Sequence, residues 1–408
     1  MATMWKPATS DQLLRAIEAG SLPHEAAAFE VKAQLPASKT SRDIAVDVAA
    51  MATAGGVIIY GVLENKEGMT FSATPVELAG AKDRISDVVT ANVRERIDFD
   101  IRLLPLNDEP TRGFVVLDIP ASPRAPHMVE TKGEFRFYGR VPGGNAVLTE
   151  AQIALLYERR REVERLAERA LDEAIAEAPL SAMPATRGDL HLVVHPLLSD
   201  RGLRGRAWPG DEGPELGAGI VGAHSGIRFR TPWDPNFADI LNGGHNVVTL
   251  DGFAMLNPAI VHDKEKVERW VSRIEVLDDG TSRYFHAAIA EQSHDNRRYV
   301  IRDTAVVQMT AHFVLMVGRL LDAGGYHGLV ELSVAITGAA GAVSAEWFGG
   351  VRTFPMGRIP SVPSDDYRDR LRLPANRLLE EPCEVAASLL SRLLRALRPR
   401  FFPDPIQR

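Results

Sequence analysis

His24-Glu25-Ala26-Ala27-Ala28-Phe29-Glu30-Val31-Lys32, followed after one predicted helix by Ala54-Gly55-Gly56-Val57-Ile58-Ile59-Tyr60-Gly61-Val62-Leu63-Glu64, is the stretch whose reading decides the fold of the first part of this chain. Phe29 and Val31 alternate with Glu30 and Lys32, as in a short strand with an apolar face and a charged one. The near-continuous apolar run from Val57 to Val62 predicts a strand buried on both faces. Gly55 and Gly56 suit a helix-to-strand turn, and backbone N–H groups exposed there can also hold a phosphate or a carboxylate. Glu25, Glu30 and Glu64 can then converge.

Outward from this stretch the pattern alternates helix and strand. Ser10 to Gly20 reads as a short helix, and Thr40 or Ser41 caps a second one that buries Ile44, Val48 and Met51. After a turn at Asn65-Lys66-Glu67-Gly68, a helix is expected from about Pro75 to Val93. Phe99 to Leu106 and Gly113 to Ile119 read as a hairpin. In Glu134 to Arg140, Phe135 and Phe137 share one strand face, while Arg136, Tyr138 and Arg140 share the other. If that second face is exposed, it suits backbone contact and base stacking. Thr149, with Glu150 and Gln152 behind it, caps a long helix to Ala178 whose mixed charges Glu158 to Arg165 read as a salt-bridged, solvated face.

The order Glu-x4-Glu-x-Lys, helix, Gly-Gly, apolar strand, Gly-Val resembles the Schlafen-type AlbA_2 domain. The resemblance extends over about the first 160 residues, through Val115 to Pro120, Ser122-Pro123-Arg124-Ala125-Pro126, Tyr138-Gly139-Arg140-Val141 and the closing helix from Thr149. It implies a nucleic-acid-binding module, and its Schlafen members include metal-dependent endoribonucleases that cleave structured RNA. By that resemblance Glu25, Glu30 and Glu64 would bind Mg2+ or Mn2+, oxygen ligands being suited to either ion, and Lys32 would stabilise developing phosphate charge. Gly55, Gly56, Arg124, Lys132, Arg136, Tyr138 and Arg140 are the expected nucleic-acid contacts. Two positions depart from the family pattern. Ala50-Met51-Ala52-Thr53 stands where Ala-Phe-Ala-Asn is common, and Leu63-Glu64 replaces the Asp that often follows Gly-Val.

Composition sets the remaining bounds. The chain has 408 residues, 45% hydrophobic and 25% charged, which allows a sizeable core and more than one domain. We expect an α+β protein: an AlbA_2-like mixed-sheet domain with its closing helix over residues 1–178, a linker from Pro179 to Gly188, and a second α+β domain over 189–408. The second domain is expected to sense a ligand, bind a partner or mediate oligomerisation. Its expected elements are a strand at Leu190 to Leu197, strands between Gly226 and Glu291 with turns at Asn242-Gly243-Gly244 and Asp278-Asp279-Gly280, a buried helix at Thr304 to Ala323, a strand at Leu329 to Ile336 and a C-terminal helix from about Leu378 to Arg398.

A single cysteine, Cys383, excludes an internal disulfide framework. No basic region followed by an apolar stretch opens the chain, and the apolar window Ala305 to Val317 is short and interrupted by polar residues, so no membrane span and a cytoplasmic location are expected. The long helices offer a seam for homo-oligomers. His191 and His195 share a strand face without a third ligand at metal spacing, and no P-loop or nucleophile-elbow motif occurs.

The net charge is −7, and residues 1–180 carry about 21 basic against about 27 acidic side chains, so any phosphate site must be local. Three functions follow: a nucleic-acid-binding protein that cleaves structured RNA, a non-catalytic DNA-binding regulator whose acids pair with its arginines, and a protein-interaction scaffold.

Overall fold

The computed structural model describes residues 7–23, 28–36, 42–65, 70–131, 133–141, 144–178, 187–198, 202–207, 245–257, 271–293, 298–345, 360–364 and 366–397. Glu25, Lys132, most of the turn at 65–68, the linker residues 179–186 and the turn at 242–244 lie outside them. The chain forms two compact units, Met1–Glu164 and Arg165–Arg408.

The first unit is built on a mixed five-stranded sheet. Strand β1 (Phe29–Lys32) runs parallel to β2 (Gly56–Tyr60), with Glu30 opposite Ile58, and the connection between them carries helix α2 (Arg42–Met51). A small sheet, β3 (Val62–Asn65) with β4 (Thr70–Ala73), follows β2. Next come β5 (Val76–Glu77), α3 (Ala81–Asn92), β6 (Val93–Arg94), β7 (Asp100–Pro105) and β8 (Arg112–Ile119). Strand β8 lies antiparallel to β2, β5 and β7 and completes the sheet in the order β1-β2-β8-β5, with β7 also on β8.

Every residue of β2 is buried, as a parallel-paired central strand requires. On one face Ile58, Tyr60, Val115 and Leu117 pack against Ile44 and Val48 of α2 and Ile85 and Val89 of α3. On the other, Phe29, Val31, Val57, Ile59 and Val116 pack with Leu13 and Ile17 of α1 (Ser10–Glu18). The alternation in β1 therefore holds: its apolar residues face the α1 layer, and Glu30 and Lys32 are left to the α2 side.

A second, antiparallel sheet of β6, β9 (Met128–Thr131), β10 (Glu134–Val141) and β11 (Gly144–Val147) covers the other side of α2. Val129 is fully buried against α2 and lies opposite Arg136, so Arg136, Tyr138 and Arg140 share the inward face of β10. Phe135 and Phe137 point away from α2, and Phe135 is 54% exposed. This reverses the expected use of the two faces. A two-residue period establishes which side chains share a face and carries no information about which face meets the core.

Helix α4 (Glu150–Ala176) begins in a capping box in which the Thr149 N–H donates to Gln152 Oε1 at 2.9 Å and the Gln152 N–H to Thr149 Oγ1 at 3.4 Å. The division between the units falls within its length.

In the second unit β12 (Gly188–Pro196), α5 (Leu203–Ala207), β13 (His245–Thr249), β14 (Gly252–Asn257), β15 (Ser272–Leu277), β16 (Ser282–Gln292), β17 (Tyr299–Ile301), α6 (Asp303–Ala323), β18 (Leu329–Thr337), β19 (Val343–Ser344) and β20 (Tyr367–Pro374) follow in order. They form a nine-stranded sheet ordered β13-β14-β15-β16-β12-β18-β20, with β17 on β16 and β19 on β17. Asp278-Asp279-Gly280 makes the β15 to β16 turn, with Gly280 at φ +84°. Helix α6 is longer than the apolar window read from the sequence. Its 21 residues have the length and apolarity of a membrane-crossing helix, and 94% of its most apolar stretch is buried, between sheet residues such as Leu190, Leu192 and Leu332 and helix residues such as Leu203, Leu378 and Val385.

The opposite sheet face carries Val193 and Ala335 against Ala170 and Leu171 of α4. It is flanked by ion pairs of Arg368 with Asp172, Arg370 with Glu168 and Arg283 with Glu177. The C-terminal helix is three pieces, α7 (Asn376–Glu380), α8 (Pro382–Leu389) and α9 (Ser391–Leu397); the first break falls at Pro382, which has no N–H to continue the ladder and starts a new helix instead, and the second at Leu390. Leu389, Leu390, Leu393 and Leu397 are buried in this unit's own core.

Gly55 has φ +83°, and a Cβ there would stand 2.8 Å from the Ala121 nitrogen. Gly55→Ala should therefore cost about 1–3 kcal/mol in stability, measured by urea unfolding.

Candidate nucleic-acid interface

On the charged face of β1, Glu30 is closed off from solvent while Lys32 is partly exposed. Glu30 is 8% exposed, and one of its carboxylate oxygens accepts from Arg140 Nη1 of β10 at 2.7 Å. Its other oxygen lies 3.2 Å from Lys32 Nζ. Lys32 Nζ also reaches Asp47 Oδ2 of α2 at 2.8 Å, and Asp47 Oδ1 accepts from Asn145 Nδ2 of β11 at 2.7 Å. Asn145 closes the ring by accepting from Arg140 Nη1 at 3.0 Å. Two acids and two cations from β1, α2 and β10 thus neutralise one another in the interior, with an amide between them.

Burial pushes the Asp47 carboxyl up to about 6, and the negative charge of Glu30 adds to that shift while Lys32 opposes it. The Lys32 ammonium is raised because Asp47 and Glu30 together outweigh the effect of its burial.

This arrangement does not fit the divalent metal that the resemblance implies. Each oxygen of Glu30 faces a cation, so a divalent ion brought to this carboxylate would stand against the charges of Lys32 and Arg140. Glu64 lies on β3, in the separate two-stranded sheet opposite Phe71, and Glu25 is outside the described residues. Among the described residues no group of three His, Cys, Asp or Glu is placed to hold a metal. Lys32 points to Asp47 within the cluster. His191 and His195 are also accounted for. His191 packs on Phe285 with ring centroids 5.3 Å apart, and His195 Nδ1 lies 2.9 Å from Thr281 Oγ1.

The expected phosphate contacts separate in the same way. Arg140 has a side chain 5% exposed and is committed to Glu30. Tyr138 packs at the edge of the α2 core, and Arg136 reaches solvent but pairs with Glu134 at 2.6 Å. Gly55 donates its N–H to Met51 O at 2.8 Å, and a Cβ on Gly56 would meet Met51 Sδ at 2.1 Å, so the glycine pair serves the close turn from helix to strand. Lys132 lies outside the described residues.

Arg124 is half-buried in the loop after β8 and is joined by Arg159 and Arg160 of α4, from the mixed-charge stretch whose pattern predicts a solvated helix face. Arg159 Nη2 donates to Thr53 O at 2.8 Å, and Arg160 Nη1 to Arg124 O at 3.4 Å. Asp47 and Asn145 were also unsuspected. Asp47 sits three residues after the buried Ile44 and directly before Val48, and that spacing places a carboxylate on the core side of α2.

Because the raised Asp47 group binds its proton more tightly folded than unfolded, it lowers stability as pH climbs from about 4 to about 6 and leaves it level above. Asp47→Asn should remove this slope, a difference on the order of 1–3 kcal/mol across that interval, read from urea unfolding of both proteins at several pH values. Arg140→Met leaves Glu30 buried with one counter-ion fewer and should cost about 3–5 kcal/mol, read in the same assay at neutral pH.

No curated protein matches the chain. The family model described as Schlafen, AlbA_2 matches residues 25–149, which span the mixed sheet, α2, α3 and the second sheet of the first unit. The N-terminal part of this chain is a Schlafen-type AlbA_2 domain.

Proposed function

We propose that the AlbA_2 domain binds nucleic acid through the sugar-phosphate backbone and that Glu30 takes no part in metal-assisted cleavage. The family match over residues 25–149 carries the first half of this reading. The engagement of Glu30 by Arg140 and Lys32 supports the second, since the two cations already neutralise this carboxylate and would repel a divalent ion placed beside it. A net charge of −7 is compatible with backbone binding, because a phosphate senses the few charges within a Debye length rather than the total.

A divalent-metal-dependent endoribonuclease acting on structured RNA is the second reading, favoured by the same family. It needs Glu30 released from Arg140 and joined by Glu25 and Glu64.

Fluorescence anisotropy with a labelled RNA hairpin and a labelled DNA duplex tests the binding. We expect association at about 50 mM salt with log K falling linearly against log salt up to about 200 mM; no association with either probe at the lower salt would refute the reading. Incubation of the hairpin with protein and Mn2+ should leave it intact. Cleavage abolished by Glu30→Gln would instead establish the nuclease.

A further inference from the structure

We infer that the phosphodiester backbone is taken in the crease between the Thr53 to Gly56 turn and the Ser122 to His127 loop, by Arg124, Arg159 and Arg160. This deepens the nucleic-acid reading and rests on it. The two walls of the crease are tied together: the Ser122 N–H donates to Ala52 O at 2.8 Å, and Gly55 allows the 119–121 backbone to approach to van der Waals distance. Across them, α4 places consecutive guanidiniums about 100° apart around its axis. Arg159 is anchored on the Thr53 carbonyl and Arg160 on the Arg124 carbonyl. Arg124 itself belongs to the second wall and is half-buried there.

Several arginines of the unit are neutralised directly: Arg94, Arg136 and Arg140 each meet a carboxylate at 2.5, 2.6 and 2.7 Å. Among the described residues, Arg124 and Arg159 meet none. Arg160 has only Glu95 and Glu164, each 3.6 Å away with side chains 50% and 47% exposed, so these pairs are weak and readily exchanged.

Arg124, Arg159 and Arg160 thus gather three cations against the two loosely held carboxylates of Glu95 and Glu164 in a domain that is acidic overall. The nearby His127 imidazole is pushed down to about 4 by burial, with the Glu95 carbonyl and carboxylate opposing the shift and Arg124 and Arg160 adding to it. A carbonyl occupies one of a guanidinium's five N–H donors, so a half-buried arginine fixed this way still presents a fork to a phosphate oxygen pair. With no base-reading group in the cluster, the ligand class is the backbone itself, independent of sequence.

The test is the salt dependence of binding to the RNA hairpin and the DNA duplex by full-length wild type and by Arg124→Gln, Arg159→Gln and Arg160→Gln. Each substitution should weaken binding and lower the slope of log K against log salt by about 1. Arg112→Gln, distant in an ion pair with Glu109, should keep the wild-type slope. Since Arg159 also caps the end of α2, melting is recorded for every variant, and Arg159→Lys, which keeps the charge, should retain the slope. Folded Arg124→Gln and Arg159→Gln proteins that bind with the wild-type slope would overturn the site while leaving nucleic-acid binding intact, as would loss of slope in Arg136→Gln alone. Absence of binding by the wild type would overturn the parent reading and this site with it.

Discussion

The contact between Glu30 and Arg140 joins an inner strand of the four-stranded sheet, β10, to the edge strand of the five-stranded one, β1, across 110 positions of sequence. A carboxylate in a protein interior is tolerated only when its charge is met and its lone pairs are filled. Glu30 therefore dictates where β10 must pass, Asn145 fixes β11 beside it, and Asp47 sets the rotation of α2 between the two sheets. Exchange of such a cluster for apolar side chains need not weaken a fold, so its role is better seen as specifying one arrangement than as adding stability. The same contacts decide the chemistry available at β1. Two cations already stand against the oxygens of Glu30, and their charge opposes the approach of a third.

Charge elsewhere in the domain follows a complementary logic. Exposed arginines such as Arg94, Arg96, Arg112 and Arg136 are matched with acids, and pairs of that kind contribute little free energy in water. The crease beneath α4 differs because its guanidiniums are held by backbone carbonyls, which orient a cation without cancelling it. A protein of negative total charge can in this way present a phosphate with a small positive region, and self-repulsion elsewhere limits non-specific association.

The second unit obtains its core from length and apolarity. Helix α6 is buried nearly all round beneath a sheet of mostly antiparallel strands, while the sheet's other face meets the acidic end of α4 through a narrow apolar seam and half-exposed ion pairs. The seam of Ala170 and Leu171 on Val193 and Ala335 supplies most of the attraction there, because solvent screens the pairs around it.

Much of this was legible in the residues alone. The alternation of Phe29 and Val31, the unbroken apolar run of β2, the hairpin of β7 and β8, the Thr149 capping box and the apolar length of α6 are local patterns, and local patterns are set by backbone geometry and solvent. The break at Pro382 was equally local and was passed over in favour of leucine spacing. What the tertiary structure alone decided was the direction and the partners of the polar groups. Whether Arg140 or Phe135 faces inward, and whether Glu30 meets a cation from β10 or stands open to solvent, depends on which element packs above each strand. That choice is made between residues far apart in the chain, and a strand's own periodicity is the same for either outcome.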